Sequence, residues 1–224
     1  MKKAVVLLSG GLDSATILHY ARHKGFAPFC LIFAYGQRHG REIKQAQEIA
    51  RYTKCPYHLI KIAFPWKGSS LLDKRIHLPE RQTIDPKEIP STYVPARNII
   101  FLSVAASYAE AIGAKAIFIG ANAVDYSGYP DCRPEFFKAF EKSLAKGLKA
   151  GVEGRPIKIY TPLIHKTKAQ IIKLGFKLHV PYHLTWSCYR GGKRPCGKCD
   201  SCVLRRRGFE AAGAVDPARP LMQK

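Results

Sequence analysis

The segment Ala4-Val5-Val6-Leu7-Leu8 runs straight into Ser9-Gly10-Gly11-Leu12-Asp13-Ser14, and that junction restricts the fold more than any other stretch of the chain. A continuous apolar run rich in Val and Leu suits a strand covered on both faces, as in a parallel sheet. Glycines at its end let the backbone turn tightly and let a ligand approach the N–H groups. Thr16 to Lys24 then reads as a helix stopped by Gly25. A helix N-terminus adds unpaired donors and the positive end of a dipole, and Ser9 and Ser14 add hydroxyls. Together these make a nest for pyrophosphate. No lysine stands where a Walker A loop places one, which excludes the kinase and GTPase type of loop. Asp13 is unusual in an anion nest. It either orients the loop by accepting backbone N–H bonds or helps to hold Mg²⁺.

The rest of the chain continues the pattern. Phe29 to Ala34 reads as a second strand, Gly40 to Tyr52 as a helix with Ile43, Ala46, Ile49 and Ala50 on one face, and Tyr57 to Ala63 as a third strand. Such a β-α-β-α-β start implies a doubly wound α/β domain. Pro65 to Pro95 breaks the pattern with five prolines and reads as a long excursion beside the site. A helix is predicted over Arg97 to Ile112, a strand over Ala116 to Gly120 and a loop over Asn122 to Arg133. Beyond them come a helix over Glu135 to Lys149, a strand over Ile157 to Thr161 and a helix over Lys166 to Leu174. The tail from Tyr182 is rich in Cys and Gly and ends in a short helix near Val203 to Ala212. The expectation is one α/β domain over residues 1–224 with a parallel sheet of about five strands, and with 182–212 as a metal-binding extension.

The net charge of +21 suggests a nucleotide or nucleic-acid partner, or simply a lysine-rich surface. The basic residues are spread along the chain, with one dense run at Arg205-Arg206-Arg207. No apolar run is long enough for a signal peptide or a membrane span, so a cytoplasmic protein is expected. Four of the seven cysteines, Cys188, Cys196, Cys199 and Cys202, form a C-x7-C-x2-C-x2-C cluster. An odd total with one tight group points to metal in a reducing compartment rather than to disulfides. Pro195-Cys196-Gly197-Lys198-Cys199 has the form of a knuckle that turns two sulfurs toward one ion. Four thiolates at this density favour one structural, tetrahedral Zn²⁺. An iron–sulfur cluster, a redox pair and unrelated cysteines are the competing readings. Lys193, Arg194, Lys198 and Arg205 are expected to offset the negative charge of such a site.

Ser9 to Ser14, placed directly after the first strand, resembles the signature of the PP-loop (N-type) ATP pyrophosphatases. The resemblance implies a Rossmann-like, adenine nucleotide alpha-hydrolase-like sheet. It also implies an ATP site spanning Leu8, Ser9, Gly10, Gly11, Leu12, Asp13, Ser14, Ala15, Thr16, Ile17 and Leu18. Four further segments narrow the class: Tyr35-Gly36-Gln37-Arg38-His39, Tyr93-Val94-Pro95-Ala96-Arg97-Asn98, Gly120 to Arg133, and Thr185-Trp186-Ser187-Cys188-Tyr189. With the two motifs above they resemble the QueC family of queuosine-precursor synthesis, over about Val5 to Phe209. The resemblance implies a ligase that uses ATP to convert 7-carboxy-7-deazaguanine and ammonia into the 7-cyano base, through an amide. It further implies Mg²⁺ with the ATP, one zinc ion per chain on the four cysteines, and a homodimer without a stable nucleic-acid partner.

On that resemblance Asp13, Arg97 and Lys168 are the candidate catalytic residues, with Arg97 and Lys168 suited to meet phosphate or carboxylate. Gln37, Arg38, Asp125, Tyr126, Tyr129 and Asp131 are the candidate substrate contacts. Tyr126, Tyr129 and Phe136 could stack a purine-like base, and Asp125 or Asp131 could accept from its N–H groups. The competing readings are that Tyr35 and Tyr93 are packed loop anchors and that Asp131 caps the helix from Arg133 onward. The chain departs from the family's usual pattern at Ala96 (usually Gly), Gln170 (usually Glu) and Ala34. Ala96 implies an ordinary backbone conformation there or a tighter fit. Two other functions compete: a tRNA-modifying PP-loop enzyme, and a zinc-ribbon nucleic-acid-binding module on a degenerate nucleotide fold.

Overall fold

In the computed structural model the described residues are 1–80, 88–122, 124 and 128–218. Five parallel strands lie in the order β3-β2-β1-β4-β5. They are β1 (Lys2–Leu7), β2 (Phe26–Ala34), β3 (Tyr57–Lys61), β4 (Ala116–Phe118) and β5 (Lys158–Tyr160). The helices are α1 (Leu12–His23), α2 (Arg41–Tyr52), α3 (Arg97–Ala111), α4 (Pro134–Gly147), the single turn α5 (Lys149–Val152), α6 (Lys168–Lys177) and α7 (Asp200–Ala212). The expected doubly wound parallel sheet is therefore present. Among the described residues no helix is long and apolar enough to cross a membrane.

The unbroken apolar run of β1 follows from its central place. Val6 faces α1, α2 and α6 in one core with Ile32 and Phe118, and Val5 faces α3 and α4 in a second core with Leu31 and Ile117. Both faces are dry, so no polar alternation survives in the strand. The edge strands differ. Lys158 and Tyr160 of β5 and Leu59 of β3 reach solvent. β1 pairs with β2 on one side and β4 on the other, so the chain reverses its winding direction at β1. Ligands of open α/β sheets bind at that switch point, beyond the C-terminal ends of the strands.

The C-terminal tail packs against the body. Tyr182 and Phe209 are buried with Ile17, Leu18 and Ile172, and the Tyr182 hydroxyl meets Thr16 Oγ1 at 3.1 Å. Helix α7 lies close on α6 because Gly208 has no side chain. A Cβ there would stand 2.3 Å from Lys168 Cγ. The tail is thus part of the core around α1.

Two sequence expectations need correction. Helix α1 begins at Leu12, four residues ahead of the predicted Thr16, because Gly11 adopts an extended cap conformation and its carbonyl accepts from Ala15 N at 3.1 Å. Asp13 and Ser14 therefore belong to the helix's first turn. Ala96, expected in an ordinary conformation, has φ 55° and ψ 18°, the left-handed region. This is the geometry that glycine adopts without strain, and it costs an L-residue ~1–2 kcal/mol. Gln170, by contrast, preserves its local structure. Its backbone N donates to Thr167 Oγ1 at 3.3 Å, and its Oε1 accepts from Thr167 N at 2.9 Å, a complete capping box. Gln closes this box as Glu does.

Candidate active site

The loop after β1 is shaped by contacts that only glycine permits. Gly10 has φ +85°, and a Cβ on it would lie 2.3 Å from the Glu42 carbonyl oxygen of α2. Ser14 Oγ sits at the loop's centre. It lies 3.0 Å from Ser9 Oγ, accepts from Ser9 N at 3.2 Å and donates to Gly11 O at 3.0 Å. The tail closes the outer side, where Trp186 N donates to Gly10 O at 2.9 Å. From the other flank Gly120, after β4, approaches so closely that a Cβ there would be 3.1 Å from Ser14 N. The loop is thus fixed by α2, β4 and the tail together.

In front of it lies a cavity of about 270 Å³. Ser9, Gly11, Leu12, Asp13 and Ser14 form one wall, with Asn122 and Lys168 beside them. Tyr35, Gln37, Glu42, Arg97, Tyr129 and Cys132 also line it, as do Trp186, Ser187 and Tyr189 of the tail. The helix starts of α1, α2, α3 and α6 all reach this space, so Asp13, Glu42, Arg97 and Lys168 come from four helices. Lys168 Nζ lies 2.9 and 2.8 Å from the two Asp13 carboxylate oxygens. The capping box at Thr167 places Lys168 at the first position of α6. Arg97 reaches the Tyr35 hydroxyl at 3.4 Å, with its guanidinium 5.9 Å from the Tyr35 ring centroid.

The candidates divide on inspection. Asp13, Arg97, Lys168, Gln37 and Tyr129 all line the cavity, as do Leu8, Ser9, Gly11, Leu12 and Ser14. Gln37 also ties the end of β2, accepting from Tyr35 N at 2.8 Å. Tyr129 meets Thr92 Oγ1 through its hydroxyl. Ala15, Thr16, Ile17 and Leu18 point into the core behind the loop. Arg38 is not among the lining residues. Its guanidinium is taken by the carbonyls of Ser70, Asp73 and Ile76, which fastens the Pro65–Pro95 excursion. Asp131 also lies outside the cavity wall. Its carboxylate accepts from Asn98 N at 3.0 Å, so it caps α3 rather than the helix after Arg133. Burial raises its pKa above the usual carboxylate range. Phe136 packs against Phe137 and Phe140. Asp125 and Tyr126 lie outside the described residues.

Sequence reasoning missed Glu42. This carboxylate faces the cavity from the first turn of α2, and burial pushes its pKa up from 4.5 to about 7, against the pull of Arg97. Its only sequence signal is an acid just past the Tyr35–His39 segment, on a helix that otherwise reads as a solvated amphipathic one.

The four cysteine sulfurs of the tail all lie within 4.8 Å of one another. None forms a disulfide. A tetrahedral ion with ~2.3 Å metal–sulfur bonds sets sulfurs just under ~4 Å apart, and Cys196 and Cys202 stand at 4.0 Å. Backbone N–H groups point at the sulfurs, Cys196 N to Cys188 Sγ and Cys199 N to Cys196 Sγ, both at 3.3 Å. Such donors favour thiolates. Donor set, spacing and second-sphere bonds fit a metal ion. Arg205, expected to offset the thiolates, is bound instead to Asp216 at 2.7 and 2.9 Å.

A doubly wound parallel sheet, with a Gly/Ser loop at its switch point and cationic side chains facing it, defines an α/β fold of the PP-loop type. Its fold is similar to that of a solved 4-thiouridine synthetase–RNA complex with bound ATP (TM-score 0.50, 19% identity, 95% of this chain and 53% of that one). It is also similar to a predicted subunit of tRNA methyltransferase from Methanocaldococcus jannaschii (TM-score 0.51, 15% identity, 97% and 91%). The chain belongs to the QueC family: residues 3–213 match the family model described as queuosine biosynthesis protein QueC. It is 55% identical over 216 residues to the 7-cyano-7-deazaguanine synthase of Acetivibrio thermocellus, covering 96% of each chain. It is 53% identical over 220 residues to the synthase of that name from Thermoplasma volcanium, covering 97% of this chain and 90% of that one.

Proposed function

We propose that this chain converts 7-carboxy-7-deazaguanine and ammonia into 7-cyano-7-deazaguanine by two rounds of adenylation in one site. The observation that supports this best, beside the relatives' shared name, is the meeting of the Ser9–Ser14 loop with Lys168 and Arg97 in a single cavity. Loop N–H groups and the start of α1 suit the β- and γ-phosphates, which leave as pyrophosphate. Lys168 and Arg97 suit the charge that develops on the α-phosphate and on the substrate carboxylate. In the first round a carboxylate oxygen attacks the α-phosphorus, ammonia displaces AMP from the acyl carbon, and an amide results. In the second round the amide oxygen is adenylated and leaves on AMP as the C≡N bond forms. Both carboxylate oxygens thus depart on AMP, a far better leaving group than hydroxide.

Tyr129 and Gln37 are the proposed contacts for the deazaguanine among the described residues, with Asp125 and Tyr126 proposed to join them. Asp131 is committed to the α3 cap, and Arg38 to the 70–76 loop. Mg²⁺ would arrive with the triphosphate, and Asp13 is the loop carboxylate that could reach it. Zinc is the proposed occupant of the four thiols, because a four-iron cube places each thiolate on a different iron and needs them spread wider. The closed set of four ligands assigns that ion a structural role. We further propose a homodimer, which sedimentation would test. The deciding experiment incubates the free carboxy base with ATP, Mg²⁺ and ammonium in the absence of RNA and reads products by mass. Nitrile, AMP and pyrophosphate are expected. Product only on a tRNA would favour the tRNA-modifying alternative.

A further inference from the structure

Making a nitrile from ammonium and an acid releases four protons from one nitrogen, two on the way to the amide and two more on the way to the nitrile. Each must leave through a base that stands in the same cavity. The described cavity wall offers few. No histidine lines it, and Asp13 and Glu42 are its only two carboxylates. Both Asp13 oxygens are held by Lys168 Nζ. The Cys132 thiol is pushed up to about 12 by burial, and the Tyr35 phenol is raised by burial as well, so both already hold their proton near neutral pH and offer no base.

Glu42 differs from all of these. Its carboxylate takes no hydrogen bond or ion pair among the described residues, and it opens on the cavity. The helix backbone that carries it is wedged against Gly10 of the loop after β1, which fixes its place beside that loop. The groups that face it are Arg97 of α3, Tyr35 at the end of β2 and Cys188 of the tail. Arg97 is also the cation suited to hold the substrate carboxylate, so nucleophile and electrophile would meet between the two side chains.

We propose that Glu42 is the general base of the nitrogen-transfer steps, holding ammonium by charge and taking its protons. This role of Glu42 rests on the proposed synthase activity. A proton moves from ammonium to the carboxylate, the nitrogen lone pair bonds the acyl carbon, and the C–O bond breaks with its electrons departing on AMP. Further N–H protons leave by the same oxygen and pass to cavity water, in the first round and again as the adenylated amide collapses to nitrile.

The test separates adenylation from nitrogen transfer. Isotope exchange between pyrophosphate and ATP, driven by the carboxy base, reads adenylation alone. Glu42→Gln should lower ammonia-dependent turnover by ~10²–10⁴-fold, the usual weight of a general base, while exchange falls far less. Hydroxylamine, largely unprotonated at neutral pH, should recover most of the lost rate as nucleophile. Glu42→Asp, which keeps the carboxylate, should fall between wild type and Gln and supplies a second variant if Gln folds poorly. Equal losses of exchange and turnover, an unaltered preference between ammonia and hydroxylamine, or full turnover with Gln would overturn the assignment. Wild-type protein without exchange or product would instead sink the proposed activity itself.

Discussion

Arg205 offers the sharpest test of how the tail is held to the body. Its side chain is 4% exposed and that of its partner Asp216 is 7% exposed. Two bonds of 2.7 and 2.9 Å join them, and Arg205 also donates to Thr185 Oγ1 at 2.8 Å and Tyr182 O at 3.2 Å. Replacing Arg205 by Met leaves the Asp216 carboxylate buried, with the Ala218 N–H as its remaining partner. Removing one half of a buried pair destabilises by ~3–5 kcal/mol, most of it from the orphaned charge. With a urea slope of ~2–3 kcal/mol per M, the unfolding midpoint should fall by ~1–2.5 M. Asp216→Asn keeps the shape and strands the arginine, for ~1.5–3 kcal/mol. The double variant lacks both charges, so it should lose less than the sum of the two, with a coupling of ~2 kcal/mol or more. Urea unfolding of the metal-loaded protein and its three variants completes the cycle. Strict additivity would show that the pair contributes nothing specific and that the tail is held by Tyr182, Phe209 and the metal alone.

Four further expectations follow from individual groups. Ala96→Gly should raise stability by ~0.5–1 kcal/mol, since relief of left-handed strain exceeds glycine's extra unfolded-state entropy; an unchanged urea midpoint would refute the strain. Gly10→Ala should abolish ATP–pyrophosphate exchange and lower stability, because its Cβ would meet the Glu42 carbonyl at 2.3 Å; retained exchange would refute the loop's assignment. Glu42 holds its proton in the fold from pH 4.5 to about 7, so the stability it contributes is full below its unfolded pKa and is lost as pH rises through the folded one. Glu42→Gln should therefore match wild type near pH 4.5 and exceed it at pH 8 by up to ~3 kcal/mol, less where cavity water screens the charge; parallel pH profiles would refute this. Chelation should release one zinc per chain and lower the thermal midpoint, with zinc restoring it; elemental analysis finding iron would overturn the proposed metal.

Much of this protein was legible because its signals are local. The run Ala4–Leu8 had to be a central strand, since an apolar sequence without alternation needs cover on both faces. The Ser9–Ser14 loop follows from glycine and serine at a strand–helix junction. The cysteine quartet is written in spacing alone, because a knuckle is closed within a few residues. Gln170 was noted only as a departure from the family's pattern, although its capping box spans just four positions.

Tertiary structure decided where side chains far apart in sequence would meet. Arg38 looked like a substrate contact and fastens a loop, because the 70–76 carbonyls converge on it. Asp131 looked like a substrate contact, or else a cap for the next helix, and instead caps α3, which begins over thirty residues earlier. Alanine itself does not announce the left-handed backbone at position 96, which is imposed by the turn into α3 and was signalled only by the family's usual glycine there. Arg205 was expected to offset the thiolates of the cysteine cluster, yet Asp216 folds back to pair with it and bury it. Glu42 was hidden most completely. Its helix announces an amphipathic face, but only the wedge of α2 against Gly10, with Arg97 brought in from α3, turns that acid toward the cavity. Local sequence specifies which elements form and which faces are apolar. The order of strands across the sheet specifies which loops share a cleft, and that order is the sum of many non-local contacts.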